Sequence, residues 1–385
     1  MLVTSAALFA LCSTGDLLAQ NGGSPDSLAL VNQIEALNQT VGSRIPSREL
    51  LTGRAAIFSE LISLDPAQAI RLALADGRAG ELRADNEAVI ESRGEWEGML
   101  AEEVADDFEH HRSWTRWYLA IGKERTELFF AGRPPDRPGS KVKATGVRMR
   151  NRLAVESYVF EASSSQTAYS PIGQQNVAVL LVTSPSFPTF PADNVYDYKK
   201  FFGPETGSAS TESVNAYWLQ SSNGQTWAVG QVFGPFAVTQ EGCGNAPPGG
   251  APGNPQLGQA AIDAADPTVD LTGFNHIVII FPTNGPCGGG VDSVGPAGYS
   301  SPTRGPLSAS VGALALNPGI TDEFSLHVAT HELGHGLGLN HSNSEDYGGG
   351  PLGAIDDAGI NTNTEAAALL WVMECWASIR PNTRA

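Results

Sequence analysis

The chain has 385 residues, 41% of them hydrophobic and 17% charged, a balance that fits a folded protein and excludes an intrinsically disordered one. That length exceeds what a single core usually organises, so two or more domains are expected. With 23 basic against 41 acidic side chains the formal charge is −18, which argues against a nucleic-acid partner, because phosphate binding needs clustered Lys and Arg.

The N-terminus reads MLVTSAALFALCSTGDLLAQ. Its apolar run from Leu2 to Cys12 is too short to span a bilayer, and small residues follow it, with a cleavage point after Ala19. Residues 1–19 therefore read as a signal peptide lacking the usual positive start. The expected location is secreted, extracellular or periplasmic, with no membrane attachment after cleavage. A lipoprotein is excluded because Leu11 precedes Cys12 where a small residue is needed.

Residues 20–110 read as a helical segment, and LDPAQAIRLAL with the basic β unit after it resembles the prosegments of bacterial secreted proteins, which implies a prosegment. SRELLTGRAAIFSELISLDPAQAIRLALADG spaces its apolar residues three and four apart, and Asp65-Pro66 marks a helix start. The stretch from Glu81 to Glu109 is acidic and is expected to be exposed. Residues 111–165 read as a small basic β domain of the same prosegment, since RTELFFAG and SKVKATGVRMRNRLAVESYVF are strand-like around the turn PPDRPG. Within 112–152 there are 11 basic and 3 acidic groups. Residues 166–175 read as a linker.

The second half, 176–385, is the reverse in charge, with 5 basic and 18 acidic groups. Opposite charge favours docking of the basic segment on it, as an intramolecular partner. NVAVLLVT and HIVIIFP are continuous apolar runs of the kind found in central buried strands. VNAYWLQSS and LGQAAIDAAD suggest helices, TWAVGQVFGPFAV a strand pair, and SASVGALAL an edge strand in a loop-rich stretch between Cys287 and Gly319. The alternation predicts an α/β sheet. Cys243 and Cys287 both sit in Gly/Pro-rich loops, and secretion favours a disulfide between them, leaving Cys375 unpaired. No CxxC pattern is present, so thiolate zinc sites are not expected.

The chemistry concentrates in DEFSLHVATHELGHGLGLNHS, because four of the seven histidines lie between His327 and His341. A helix from Asp322 to Leu337 puts His331 and His335 on one face, one turn apart, where two neutral imidazoles can share a zinc ion. Glu332 follows the first of them and lies beside the metal, placed to take a proton from water. Gly336 and Gly338 break the helix, and a positive φ at Gly338 would bring His341 back as a third ligand. Three protein ligands leave one position open, as catalytic zinc requires. His327 also lies four before His331, but pairing those two would leave no glutamate after the first ligand, so His327 reads as a core or supporting residue. Glu345 and Asp346 in SNSEDYGGG offer carboxylates for calcium, without a recognised spacing.

HExxHxxGxxH is the metzincin signature, and 176–373 resembles the gametolysin family of secreted metallopeptidases. The features that carry it are VLLVT, GQVFGPFAV, CG before a Gln-Ala-Ala helix, FNHIVIIFP with GPCGGG, and HELGHGLGLNHS. The resemblance implies an α/β metzincin-like catalytic domain: a twisted mixed sheet with an active-site helix, preceded here by the helical segment and the small β unit. It implies a zymogen of a zinc endopeptidase acting on protein or peptide substrates. It also implies a methionine turn beneath the metal, where Met373 is the one methionine after the motif. The setting WVMECW departs from the family, with Glu374 where glycine is expected, and the chain ends twelve residues later, short of the expected pocket wall. A zinc-holding but inactive binding module, or a metal-dependent hydrolase of a non-peptide bond, are the competing readings. No cysteine lies between Cys12 and Cys243, so a prosegment thiolate cannot cap the metal. Any block must be steric or use another ligand.

Overall fold

The elements follow local rules of the chain. In the computed structural model, Ser47 caps α2 (Arg48–Leu64) by accepting from the Leu50 amide, and Asp65 ends that helix and starts the next. Asp65 accepts from the Gln68 amide, and Pro66 sits where a missing N–H costs nothing. The structure describes residues 25–43, 46–84, 86–107, 112–135, 137–161, 170–203, 213–242, 256–284 and 289–341. Cys243, Cys287, Glu345, Asp346, Met373 and Cys375 lie outside them, as do the signal segment and the first four residues of the expected linker.

In chain order the helices are α1 (Pro25–Ser43), α2, α3 (Pro66–Leu72), α4 (Asp76–Arg83), α5 (Tyr198–Phe202), α6 (Val214–Ser221), α7 (Leu257–Ala265) and α8 (Asp322–Gly336). The strands are β1 (Ser92–Asp107), β2 (Arg112–Ile121), β3 (Glu124–Phe130), β4 (Lys141–Met149), β5 (Arg152–Phe160), β6 (Gly173–Thr183), β7 (Thr226–Ala237), β8 (His276–Pro282), β9 (Gly289–Ser293), the two-residue β10 (Ser300–Ser301) and β11 (Gly305–Pro306), and β12 (Ser310–Leu316). This is a mixed α/β fold with a large mixed sheet. Among the described residues no helix is long and apolar enough to cross a membrane.

Two units divide the chain. The first draws on the described residues up to Gly94, with Phe129–Gly132 and Gly146–Glu156. Its core gathers Ile34, Leu51, Phe58, Leu61 and Ile62 from the helices with Val147 and Met149. Inside it Arg54 forms a two-pronged ion pair with Glu91, both contacts at 2.6 Å and both side chains buried. Glu91 also accepts from the Leu74 amide at 2.8 Å.

The second unit comprises Glu95–Leu128, Arg133–Thr145 and the described residues from Ser157 onward. Its strands run β7-β6-β8-β12-β9-β1, and β1 also pairs with β2. β6, β8 and β12 are mutually parallel, β7 is parallel to β6, and β9 is antiparallel to both β12 and β1. The apolar runs NVAVLLVT and HIVIIFP are interior strands as expected, β6 between β7 and β8, and β8 between β6 and β12. Alternate residues of each serve opposite faces. Leu180, Ile277 and Ile279 pack with Ala261 and Ile262 of α7. Val179, Val278 and Ile280 pack with Val328, Ala329 and Leu333 of α8.

Four expectations change. Ser92–Asp107, read as helical and exposed, is a strand whose residues from Leu100 to Asp106 are buried. TWAVGQVFGPFAV makes one long strand, β7, rather than a pair, because it pairs with β6 along its length through a register shift near Leu180 and Val182. SASVGALAL supplies β12, which is interior, because the glycine-rich GGVDS forms β9 on its far side. β6 begins at Gly173, inside the expected linker.

Candidate metal centre

The helix that carries the site is set at both ends by its own sequence. Thr321 caps it by accepting from the Phe324 amide at 3.2 Å. At the other end the Gly338 amide donates to the His335 carbonyl at 2.7 Å, and the Leu339 amide to the Gly334 carbonyl at 3.2 Å. This is a Schellman turn, and it requires a left-handed residue just past the helix. Gly338 supplies it with φ +92°. Gly336 stays helical instead of breaking the helix: a Cβ there would fall 2.7 Å from the Ser310 hydroxyl, so its bareness lets α8 approach β12.

The turn brings His341 back to the helical pair. His331 Nε2 lies 3.1 Å from His341 Nε2, and the ring centroids of His335 and His341 are 4.7 Å apart. The His335 Nδ1–H donates to the Leu339 carbonyl at 2.7 Å. A carbonyl can only accept, so this bond fixes the tautomer and leaves the Nε2 lone pair facing the cluster.

A fourth group joins them that the sequence reading did not include. The Asp106 carboxylate, from β1, lies 3.2 Å from His331 Nε2, 3.4 Å from His335 Nε2 and 3.2 Å from His341 Nε2. One donor atom from each of the four residues falls within 4.8 Å of the others. Four donors at about 2.0–2.1 Å from one tetrahedral ion would stand about 3.3 Å apart, so this buried Asp/His₃ cluster could hold a metal ion. No local signal marks Asp106, which lies 225 residues before His331 in the chain.

Electrostatics agree with a site suited to a cation. Burial pushes the Asp106 carboxyl up, but the histidines gathered around it outweigh that and hold the group well below the usual carboxylate range. Burial lowers His331 to about 4, so the imidazole is neutral, the form that ligates a metal. Glu332 is fully buried, and among the described residues neither of its carboxylate oxygens has a hydrogen-bond partner. Burial, with the nearby charges of Asp106 and Asp292, raises its affinity for a proton. A polar group left so exposed to penalty in a protein interior calls for a partner such as a water on the metal side.

The other histidines take structural places. His327 stands with its ring 6.3 Å from that of His331 and is not one of the four metal-capable residues. His276, fully buried at the start of β8, contacts the Ser310 hydroxyl at 2.8 Å and Gln175 at 3.2 Å. No protein-family model matches the chain, and no curated protein matches it at the significance required, so the site is read from its own chemistry.

Proposed function

We propose that the chain is the precursor of a secreted zinc-dependent endopeptidase with a metzincin-like catalytic domain. His331, His335 and His341 would hold the metal, and Glu332 is the general base. One observation carries the reading: a three-histidine cluster stands beside a buried α8 carboxylate that has no hydrogen-bond partner among the described residues. The α/β sheet with α8 packed on it agrees in general class with such a domain.

A zinc ion held there supplies Lewis acidity toward a water molecule and a peptide carbonyl. The residues of the chain do the rest. Glu332, fixed by the helix register between its two histidine neighbours, takes a proton from the attacking water. The water oxygen adds to the carbonyl carbon, the C–N bond breaks, and Glu332 returns the proton to the leaving amine. One water is consumed for each new carboxyl and amine. His335, held by the Leu339 carbonyl, keeps its lone pair on the metal side throughout.

A second reading draws on Asp106. Four protein donors make a closed site, the pattern of structural rather than catalytic zinc. A zinc-holding module without activity would then need Asp106 to keep its metal.

The test is casein hydrolysis by the zinc-loaded full chain and by its Asp106→Ala variant, with and without a chelator, alongside Glu332→Ala and His335→Ala made in the Asp106→Ala chain. Glu332→Ala should keep zinc and lose at least about 10²-fold in turnover, while His335→Ala should lose the metal. Absence of chelator-sensitive hydrolysis in both parent chains overturns the peptidase reading.

A further inference from the structure

We infer that Asp106 is a fourth metal ligand that takes the place of the reacting water, so that the chain is locked by its own strand β1. The inference rests on the peptidase reading for what is held inactive, but not for the occupation of the metal position.

The strand ladder puts the carboxylate there. β1 pairs antiparallel with β9 from Glu103↔Ser293 to Asp107↔Gly289, with Asp106 opposite Gly290. Gly290 is also the residue against which Glu332 packs. One position in one register therefore sets Asp106 on the histidines and beside the proposed base. A water that Glu332 could deprotonate would have to stand in that same small space, and the Asp106 side chain is buried in it. β1 also covers the backbone edge of β9 that an extended peptide would otherwise pair with.

Further contacts in the same unit hold β1 to this register. The Val294 amide donates to the Glu102 carbonyl at 2.8 Å, extending the ladder. Glu103 is ion-paired to Arg125 and accepts from the Tyr299 hydroxyl at 3.4 Å. The Arg125 guanidinium lies 4.5 Å from the Tyr118 ring and 4.3 Å from the Tyr299 ring. A one-residue slip of β1 would turn Asp106 to the opposite face of the sheet and break the Glu103 pair together. The lock is thus a carboxylate in place of the thiolate that the cysteine-free prosegment cannot supply.

The test needs no substrate. The full chain and its Asp106→Ala and Asp106→Asn variants are loaded with zinc and, separately, cobalt(II). Metal content is measured, acetohydroxamate binding is followed by calorimetry, and cobalt visible bands are recorded with and without acetohydroxamate. The expected result is one metal per chain in all three, no response of the wild type to acetohydroxamate, and at least tenfold tighter binding with shifted cobalt bands in the variants. Asp106→Asn keeps the side-chain shape and gives the reading if Asp106→Ala folds poorly. Wild type binding acetohydroxamate as tightly as the variants overturns the lock. So does loss of metal from folded Asp106→Asn, which would make Asp106 an obligatory structural ligand. Variants that bind acetohydroxamate yet cleave no peptide leave the lock standing and remove the peptidase reading.

Discussion

The Glu332 carboxylate packs directly on the α-carbon of Gly290, so closely that a Cβ at Gly290 would lie 2.4 Å from Glu332 Oε1. A methyl group at that point must push the carboxylate away from the histidines or push β9 away from α8. We predict that Gly290→Ala costs about 1–3 kcal/mol in stability, the usual range for overpacking. Made in the Asp106→Ala chain, it should keep zinc and lose most of the peptide hydrolysis. Parental turnover together with parental stability would show that the carboxylate does not need this space.

Gly338 carries the turn on which His341 depends. Gly338→Val forces a β-branched residue to φ +92°, where L residues are strained by about 1–2 kcal/mol. The expected outcome is weaker metal retention against a competing chelator, with α8 itself intact by circular dichroism. Unchanged retention would mean that His341 reaches the site without this turn.

His276, buried against the Ser310 hydroxyl and the bare backbone of Gly336, gives the metal-free chain an acid sensitivity of its own. Burial lowers its pKa from 6.5 to about 3, so the folded chain resists a proton that the unfolded chain accepts. Its contribution to stability is therefore complete above pH 6.5 and is lost as the pH falls from 6.5 toward about 3. The slope from one such group is on the order of 1 kcal/mol per pH unit. His276→Gln should flatten the fall of the urea midpoint between pH 6 and pH 4, conditions chosen inside that window. An unchanged slope would assign the acid sensitivity to other groups.

The Arg54–Glu91 pair is a separate test within the first unit. Glu91→Ala leaves a buried guanidinium with its main partner gone, a loss of about 3–5 kcal/mol. Arg54→Met with Glu91→Leu should cost much less, because neither charge is then stranded. Denaturant unfolding of the single and double variants distinguishes the two, and a mild Glu91→Ala phenotype would count against a tight buried pair.

What the sequence made legible was local. The four-residue spacing of His331 and His335 and the glycine at Gly338 depend on neighbours within one helix and one turn, and the structure has them as read. The interior strands β6 and β8 were legible because burial on both faces leaves an unbroken apolar run. The same double burial hid β1. Its apolar residues Trp96, Met99, Leu100 and Val104 fall at helical spacing, and its acids suggested solvent. Those acids are buried because distant residues meet them: Arg125 meets Glu103, and three histidines meet Asp106. β9 was hidden because GGVDS has neither alternation nor a β-branched run, and it becomes a strand only between β1 and β12.

β9 is held unequally by its two neighbours. Among the described residues, five register pairs join it to β1 and two, Ala313↔Val291 and Leu314↔Gly290, join it to β12. The strand that blocks the centre is thus also the principal template on which the glycine-rich segment beside it takes shape. β1 emerges first during synthesis and is present when β9 arrives. Excision of β1 afterward would ask the finished unit to keep, on two pairs and the α8 contact, a wall that it was not obliged to build alone.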